Sequence, residues 1–510
     1  MDVLYFRWKE IYPDPLEIQM KTTNSAHVKT LNSTSIRRLY ISFSAACLAA
    51  ILVMILSQLE FGYMIPIILL IVAGLEYFFP NIFLYFITFG VFAFRKSFAI
   101  LSINIHNSNI YVGELAIIVC LIFLIISLLG KKKARLPPKW YLFAPFLIIG
   151  FILAVIGTFQ YGTAALRQAS IVYYSLLALL VAFRIRKNDE VRVFSFFMLF
   201  AALFGQLLDL LPPSLLKLRP EMAYSTVISF SLFLMLRSGH QVLRRWWSTA
   251  ILLIPAFHTI FYFRLSTLLT LIFVFSLCGF YYIHRYSRHH KSTVTPGKAA
   301  LGFAFILVIA IGAGYFLAKE RYEAIWAELT AVYLTLNGDT PPVNIWEHDD
   351  GSINEDENSW EIQHQQLNIS IRMLMWRQAI LEGLKSPLVG TGFGSKLVIE
   401  ELKRKDYPYT YYKDPHNSYI SVFLHMGLLG LAALALVLVP TACSAIRKCM
   451  SDIGDNCPSL AACLLSWMAM FVLGMFNVVL ATHTGAIFFW ILFGLTLSAD
   501  SLSEQQAEVL

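Results

Sequence analysis

The stretch YYKDPHNSYISVFLHMGLLG (Tyr411–Gly430) passes from a polar, aromatic run straight into an apolar one that carries Gly427 and Gly430. Apolar character continues from 416 to 440, about the 17–25 residues that a helix needs to cross a bilayer. The stretch therefore reads as an external loop handing over to a membrane helix. Asp414 suits the N-cap and Pro415 the first helical position, which puts His416 and Asn417 in the first turn. That describes how a helix starts, but a cap does not require histidine. An imidazole titrates near 6.5, and a helix N-terminus or a neighbouring Arg pushes that value down. A neutral ring of this kind accepts a proton from a hydroxyl, which is the work of a general base. Cap and base are both open readings of the same residues.

Working outward, the same apolar length recurs along most of the 510 residues, of which 57% are hydrophobic and 14% charged. A soluble domain carries about a quarter charged residues, so water-soluble classes are excluded. A transmembrane barrel would show short alternating segments, and these are absent from the sequence. The expected fold is all-α, a polytopic membrane helix bundle of about fourteen transmembrane helices with a long, partly helical external loop. Its parts are a cytoplasmic segment 1–38, helices 1–11 over 39–317, the external loop 318–415, helices 12–14 over 416–500, and a cytoplasmic tail 501–510. The net charge of +8 is spread over short clusters such as KKKARLPPK (131–139), RIRK (184–187), RSGHQVLRR (237–245) and HRYSRHHK (284–291). With the N-terminus inside, all of them fall on the cytoplasmic side, as basic loops do. Charge divided among loops argues against nucleic acid as a partner. The first 38 residues are polar and basic, and no cleavable signal is expected there. The seven cysteines avoid the long polar segment, so neither a disulfide framework nor a cysteine zinc site is expected.

The loop 318–415 interrupts the rhythm of spans. A loop of roughly a hundred residues in a tight bundle is functional or disordered, and its Trp, Met, Ile and Tyr content argues for an ordered cap. It holds an acidic run, EHDDGSINEDENSWE (347–361), which lacks the ligand order of a calcium loop and reads as solvated. A helix-like stretch over 367–386 follows, then GTGFGS (390–395), read as a turn and not as a nucleotide loop. Arg372 and Trp376 share one face of the predicted helix, where stacking is one role. Arg264 interrupts FHTIFYFRLSTLLTLIFVF, where a charge costs about 3 kcal/mol if it lies deep. Arg219 and Arg167 hold similar positions at external span ends. Each of these is either a snorkelling side chain or an anion ligand, since the guanidinium fork matches phosphate oxygens.

Taken in order, Arg264 at a span junction, the long loop, Arg372 and Trp376, SPLVGTGFGS (386–395) and HNSYISVFLHMGLLG (416–430) resemble the O-antigen ligase and polymerase superfamily of bacterial envelope glycosyltransferases. The resemblance covers about 360–432. It implies a metal-independent, cofactor-free, inverting transfer at the outer face of the bacterial inner membrane. The donor would be a glycan on undecaprenyl diphosphate, and the acceptor a hydroxyl of a glycan or of lipid A-core. Under that resemblance His416 is the catalytic base, and Arg264 and Arg372 hold the diphosphate. Arg219 and Arg167 are further candidates for that anion, with Asp414, Asn417 and Trp376 in support. The competing class is a transporter or flippase, which needs ionisable groups in mid-membrane facing a cavity. Its candidates are Glu76, Glu114 and Asp209.

Overall fold

The computed structural model describes residues 33–58, 65–76, 78–79, 81–99, 101–105, 108–130, 139–209, 222–239, 251, 253–255, 265–289, 357–399, 411–412, 414–450 and 458–509. Arg219, Arg264, the span expected over 299–317 and most of the one over 248–262 lie outside these residues. The chain divides by its contacts into residues 1–41, described only from 33 as the start of the first helix, and residues 42–510.

The described residues are mostly helical. In order they form α1 (Ser33–Gln58), α2 (Ile65–Leu75), α3 (Ile82–Ala99), a hairpin of β1 (Ser102–Ile105) and β2 (Ser108–Tyr111), then α4 (Val112–Gly130) and α5 (Phe143–Tyr161). The span expected over 168–183 is divided into α6 (Thr163–Gln168), α7 (Ser170–Tyr173) and α8 (Leu176–Arg184). Then come α9 (Asn188–Leu208), α10 (Met222–Gly239), α11 (Leu265–His289), α12 (Glu357–Leu384), the short strands β3 (Leu397–Val398) and β4 (Tyr411–Tyr412), α13 (Ser418–Cys449), α14 (Pro458–Phe476) and α15 (His483–Val509). Six helical segments among the described residues are long and apolar enough to cross a membrane, from Tyr40–Ser57 to Ser459–Phe476. Five shorter apolar helices accompany them.

Helix boundaries differ from expectation in several places. Helix α12 starts at Glu357, inside the acidic run, where carboxylates favour the positive end of a helix dipole. Helix α15 continues through the expected tail to Val509.

With lipid as solvent, helices associate through close packing and small residues. Helix α14 packs on α10, α11, α13 and α15, and α15 in turn on α3 and α8. A Cβ added at Gly494 would lie 2.6 Å from the Ala178 carbonyl oxygen, so α15 and α8 approach backbone to backbone. Gly205 permits the same approach of α9 to α3 at Ala93. Polar groups at helix ends are paired: Glu76 accepts from the backbone N–H of Asn81 and Phe83 and pairs with Arg184 at 3.2 Å, while Arg95 pairs with Asp209.

Helix α13 is broken at Gly427, with φ 62° and ψ −161°, and a break inside a bilayer exposes backbone groups that lipid cannot satisfy. The glycine loop satisfies them. Leu428 and Leu429 N–H donate to the carbonyls of Pro387 (2.8 Å) and Leu388 (3.0 Å), while the Leu424 and His425 carbonyls accept from Thr391 N–H (2.7 Å) and Gly392 N–H (3.1 Å). The loop is a turn, as expected from GTGFGS, with Gly390, Gly392 and Gly394 all at positive φ. Its far side is held by Gln168, which accepts from Gly394 N–H and donates to the Ser395 carbonyl at 3.1 Å. Helix α12 lies on α13 through Met375, Ala379 and Leu424, with Leu397 and Ile399 closing the same apolar cluster.

A Cβ at Gly427 would meet the backbone of Leu388 at 2.4 Å, whereas a Cβ at Gly392 meets nothing within 4 Å. Both carry positive φ, which costs an L-residue about 1–3 kcal/mol. Only Gly427 adds a backbone clash, for about 1–3 kcal/mol more. Thermal melting in detergent is expected to show Gly427→Ala markedly less stable than Gly392→Ala. Equal melting points would show that the loop does not brace the break.

Candidate active site

The chemistry expected of the 411–430 stretch depends on where α13 begins. It begins three residues later than expected. Asn417, with φ −146° and ψ 120°, is the N-cap, and its side-chain oxygen accepts from Tyr419 and Ile420 N–H, both at 3.0 Å. His416 precedes the helix at φ 51°, a left-handed conformation that a right-handed helix cannot contain. Asp414 is therefore not the cap. Its Oδ1 accepts instead from Ser421 Oγ at 2.9 Å, one turn into α13.

The last turn of α14 and the residue after it gather the candidate groups. Past the last helical amides the carbonyls lack intrahelical partners, and side chains from two other elements donate to them. Arg372 Nη1 on α12 donates to the Phe476 carbonyl (3.3 Å), Asn417 Nδ2 to Met475 (2.6 Å) and Ser418 Oγ to Asn477 (3.0 Å). Ser418 Oγ also accepts from Leu480 N–H at 3.1 Å. Arg372 and His416 are thus brought together through one backbone segment. The expected partner Trp376 lies one turn along α12, its indole N–H buried with no acceptor among the described residues.

The His416 ring is partly buried and makes no hydrogen bond to a described residue. Burial first, then the Arg372 guanidinium, push its pKa below the ordinary 6.5, while Asp414 pushes it upward. The ring is consequently neutral at pH 7 and able to take a proton. A guanidinium beside it supplies positive charge for an anionic group, so the pair can serve transfer from a phosphorylated donor to a hydroxyl.

A second histidine, not among the residues expected from the sequence, joins the site. His425 is wholly buried; its Nδ1 lies 2.8 Å from the Gly392 carbonyl and its Nε2 3.8 Å from Asp414 Oδ1. A carbonyl only accepts, which assigns a proton to Nδ1. The ring therefore ties α13 to the glycine loop, while its buried Nε2 lies near Asp414 but beyond hydrogen-bond distance. A polar stripe of Asn417, Ser418, Ser421 and His425 at helical spacing on an otherwise apolar helix was the signal available in the sequence. Arg167 belongs elsewhere among the described residues: it sits at the end of α6, where its charge acts on His483 and Tyr173.

The transport reading finds less support in this geometry. Glu76, Glu114 and Asp209 are each engaged, Glu114 by Tyr111 N–H (3.1 Å) and Tyr173 OH (2.7 Å), and the others as described above.

The chain finds no match among curated proteins. Residues 261–435 match the family model described as O-Antigen ligase, a stretch that takes in α11, α12, the glycine loop and α13 past its break. The stretch that carries Arg372, the glycine loop and His416 is thus similar to the O-antigen ligase family, and the long apolar helices around it are those of a membrane protein.

Proposed function

We propose that the protein is an O-antigen ligase-like glycosyltransferase. It moves a glycan from undecaprenyl diphosphate to an acceptor hydroxyl, on lipid A-core or another glycan, at the outer face of the bacterial inner membrane. The reading carries with it about fourteen crossings with both termini cytoplasmic. The observation that supports it best is that Arg372 and Asn417, the neighbour of His416, both bond the end of α14, and that Arg372 and His416 both lie in the matched stretch.

His416 takes the proton of the acceptor hydroxyl, and the oxygen attacks the anomeric carbon. The bond from that carbon to the diphosphate oxygen breaks, and its electron pair leaves with the diphosphate. A single displacement of this kind inverts the anomeric configuration. The leaving group departs as an anion and needs no proton, only positive charge. Arg372 supplies that charge, with Arg264 as its expected companion and Arg219 as a further candidate; protein cations thus do the work without a metal.

The two charges also cooperate. Without donor, Arg372 lowers the proton affinity of His416. A bound diphosphate offsets that cation and raises the affinity of the base as the acceptor arrives.

His416 has a backbone that glycine adopts freely. His416→Gly is expected to melt at or above wild type, by up to about 1 kcal/mol, yet to lose transfer by about 10²–10⁴-fold. Full transfer of the native glycan in a strain carrying His416→Gly would remove the catalytic role. The product separates ligase from polymerase action: a glycan on lipid A-core marks the first, a lengthened lipid-linked glycan the second.

The pH profile tests the charges. A base whose pKa lies below 6.5 keeps wild-type activity down to that pH and loses it on further acidification. Arg372→Gln removes a group that lowers this pKa, so the acid limb moves to higher pH. Asp414→Asn removes a group that raises it, so the limb moves lower. Initial rates across pH 4.5–8, a range of about two units either side of the ordinary value, read both shifts; profiles that coincide would separate His416 from the rate.

A further inference from the structure

A second polar cluster lies at the same end of the bundle as His416 and takes no part in the mechanism above. It is built where α4, α6–α7 and α15 begin or turn. Tyr111 packs against His483 with ring centroids 4.0 Å apart and the planes tilted by 38°, and Tyr174 OH lies 2.9 Å from His483 Nδ1. Tyr173 OH donates to Glu114 Oε1 at 2.7 Å, and the two tyrosine rings of α7 and its end lie 5.0 Å apart. Tyr111, Glu114, Arg167, Tyr173 and His483 are all partly open to solvent, while Tyr174 is buried beneath them. Among the described residues Arg167 makes no hydrogen bond or ion pair, and no partner meets His483 Nε2.

The composition of this cluster indicates its ligand. A diphosphate site gathers cations and repels carboxylate, yet Glu114 lies within electrostatic reach of the same His483 that feels Arg167. Aromatic faces beside a carboxylate, an open imidazole nitrogen and a guanidinium suit a saccharide instead. The apolar C–H face of a sugar lies on a ring, its hydroxyls donate to carboxylate or imidazole nitrogen, and the guanidinium takes ring oxygens or an acidic substituent.

The cluster is tied to the reaction centre. Ser418, two residues after His416, holds Leu480, three residues before His483, and Ser170 Oγ donates to the Ala481 carbonyl at 3.0 Å. Along that path the backbones of His416 and His483 are at most about 25 Å apart, a distance that an oligosaccharide of a few sugars covers.

We propose that Tyr111, Glu114, Arg167, Tyr173 and His483 form a glycan-binding subsite that holds sugars of a saccharide whose reacting end lies at His416. The choice of glycan as ligand rests on the transferase reading. Arg167 then serves the glycan and not the diphosphate.

The test is direct binding to the purified full chain in detergent, followed by isothermal calorimetry. One probe is the repeat-unit oligosaccharide freed by mild acid from the host's lipid-linked pool, and the other is the host's core oligosaccharide. Wild type is expected to bind at least one of them, and which one it binds separates donor from acceptor glycan. Tyr111→Ala and Glu114→Gln are expected to weaken that binding at least about tenfold, with His483→Gln as the substitute if either fails to melt like wild type. No binding of either saccharide to wild type would overturn the subsite, as would unchanged affinity in the folded variants. Binding as expected by a protein that transfers no glycan would overturn the transferase reading and leave the subsite standing.

Discussion

Two glycines in contact, Gly390 and Gly427, hold the candidate site together. A Cβ on Gly390 would lie 2.6 Å from the backbone of His425 and Met426, and a Cβ on Gly427 would press equally on Leu388 and Val389. A helix in lipid satisfies its own amides, and α13 gives up part of that ladder at Gly427. The loop 387–392 replaces the missing bonds one for one, which is possible only because neither backbone carries a side chain at the crossing. The loop is thereby fixed in place. It in turn fixes His425 through Gly392, and α6 through Gln168.

The end of α14 and the turn after it do comparable work for the candidate groups. Their carbonyls have no helical partners of their own, so Arg372, Asn417 and Ser418 can all use them. Holding Arg372 and the two residues after His416 through another segment's backbone makes the separation of the guanidinium and the imidazole depend on the fold as well as on two side chains. It also explains how a left-handed His416 is tolerated. Asn417 and Ser418 are anchored on its C-terminal side, and Asp414 is bonded into the helix on the other. The strain of that one residue is held from both sides.

Much of this was legible in the sequence, and the gaps have physical causes. The membrane class followed from apolar length, because bilayer thickness sets the length of a span. The turn over 390–395 followed from glycine spacing, since positive φ favours glycine. The cap was misplaced because Asp-Pro-His-Asn contains two good caps, and only the contacts of Asn417 with Met475 and of Asp414 with Ser421 choose between them. His425 was passed over because a histidine within an apolar run gives no sign of what lies opposite.

By itself the sequence determined a helical membrane protein and marked His416, Arg372 and the glycine loop as the residues to watch. Hydrophobic length and backbone permissiveness are local properties, so they can be read without a partner. The tertiary structure alone decided that Gly390 meets Gly427, that Arg372 and Asn417 share one turn, and that Arg167 stands with His483. Those are contacts between residues far apart in the chain, and their energies depend on which groups each leaves satisfied. No local pattern encodes that pairing.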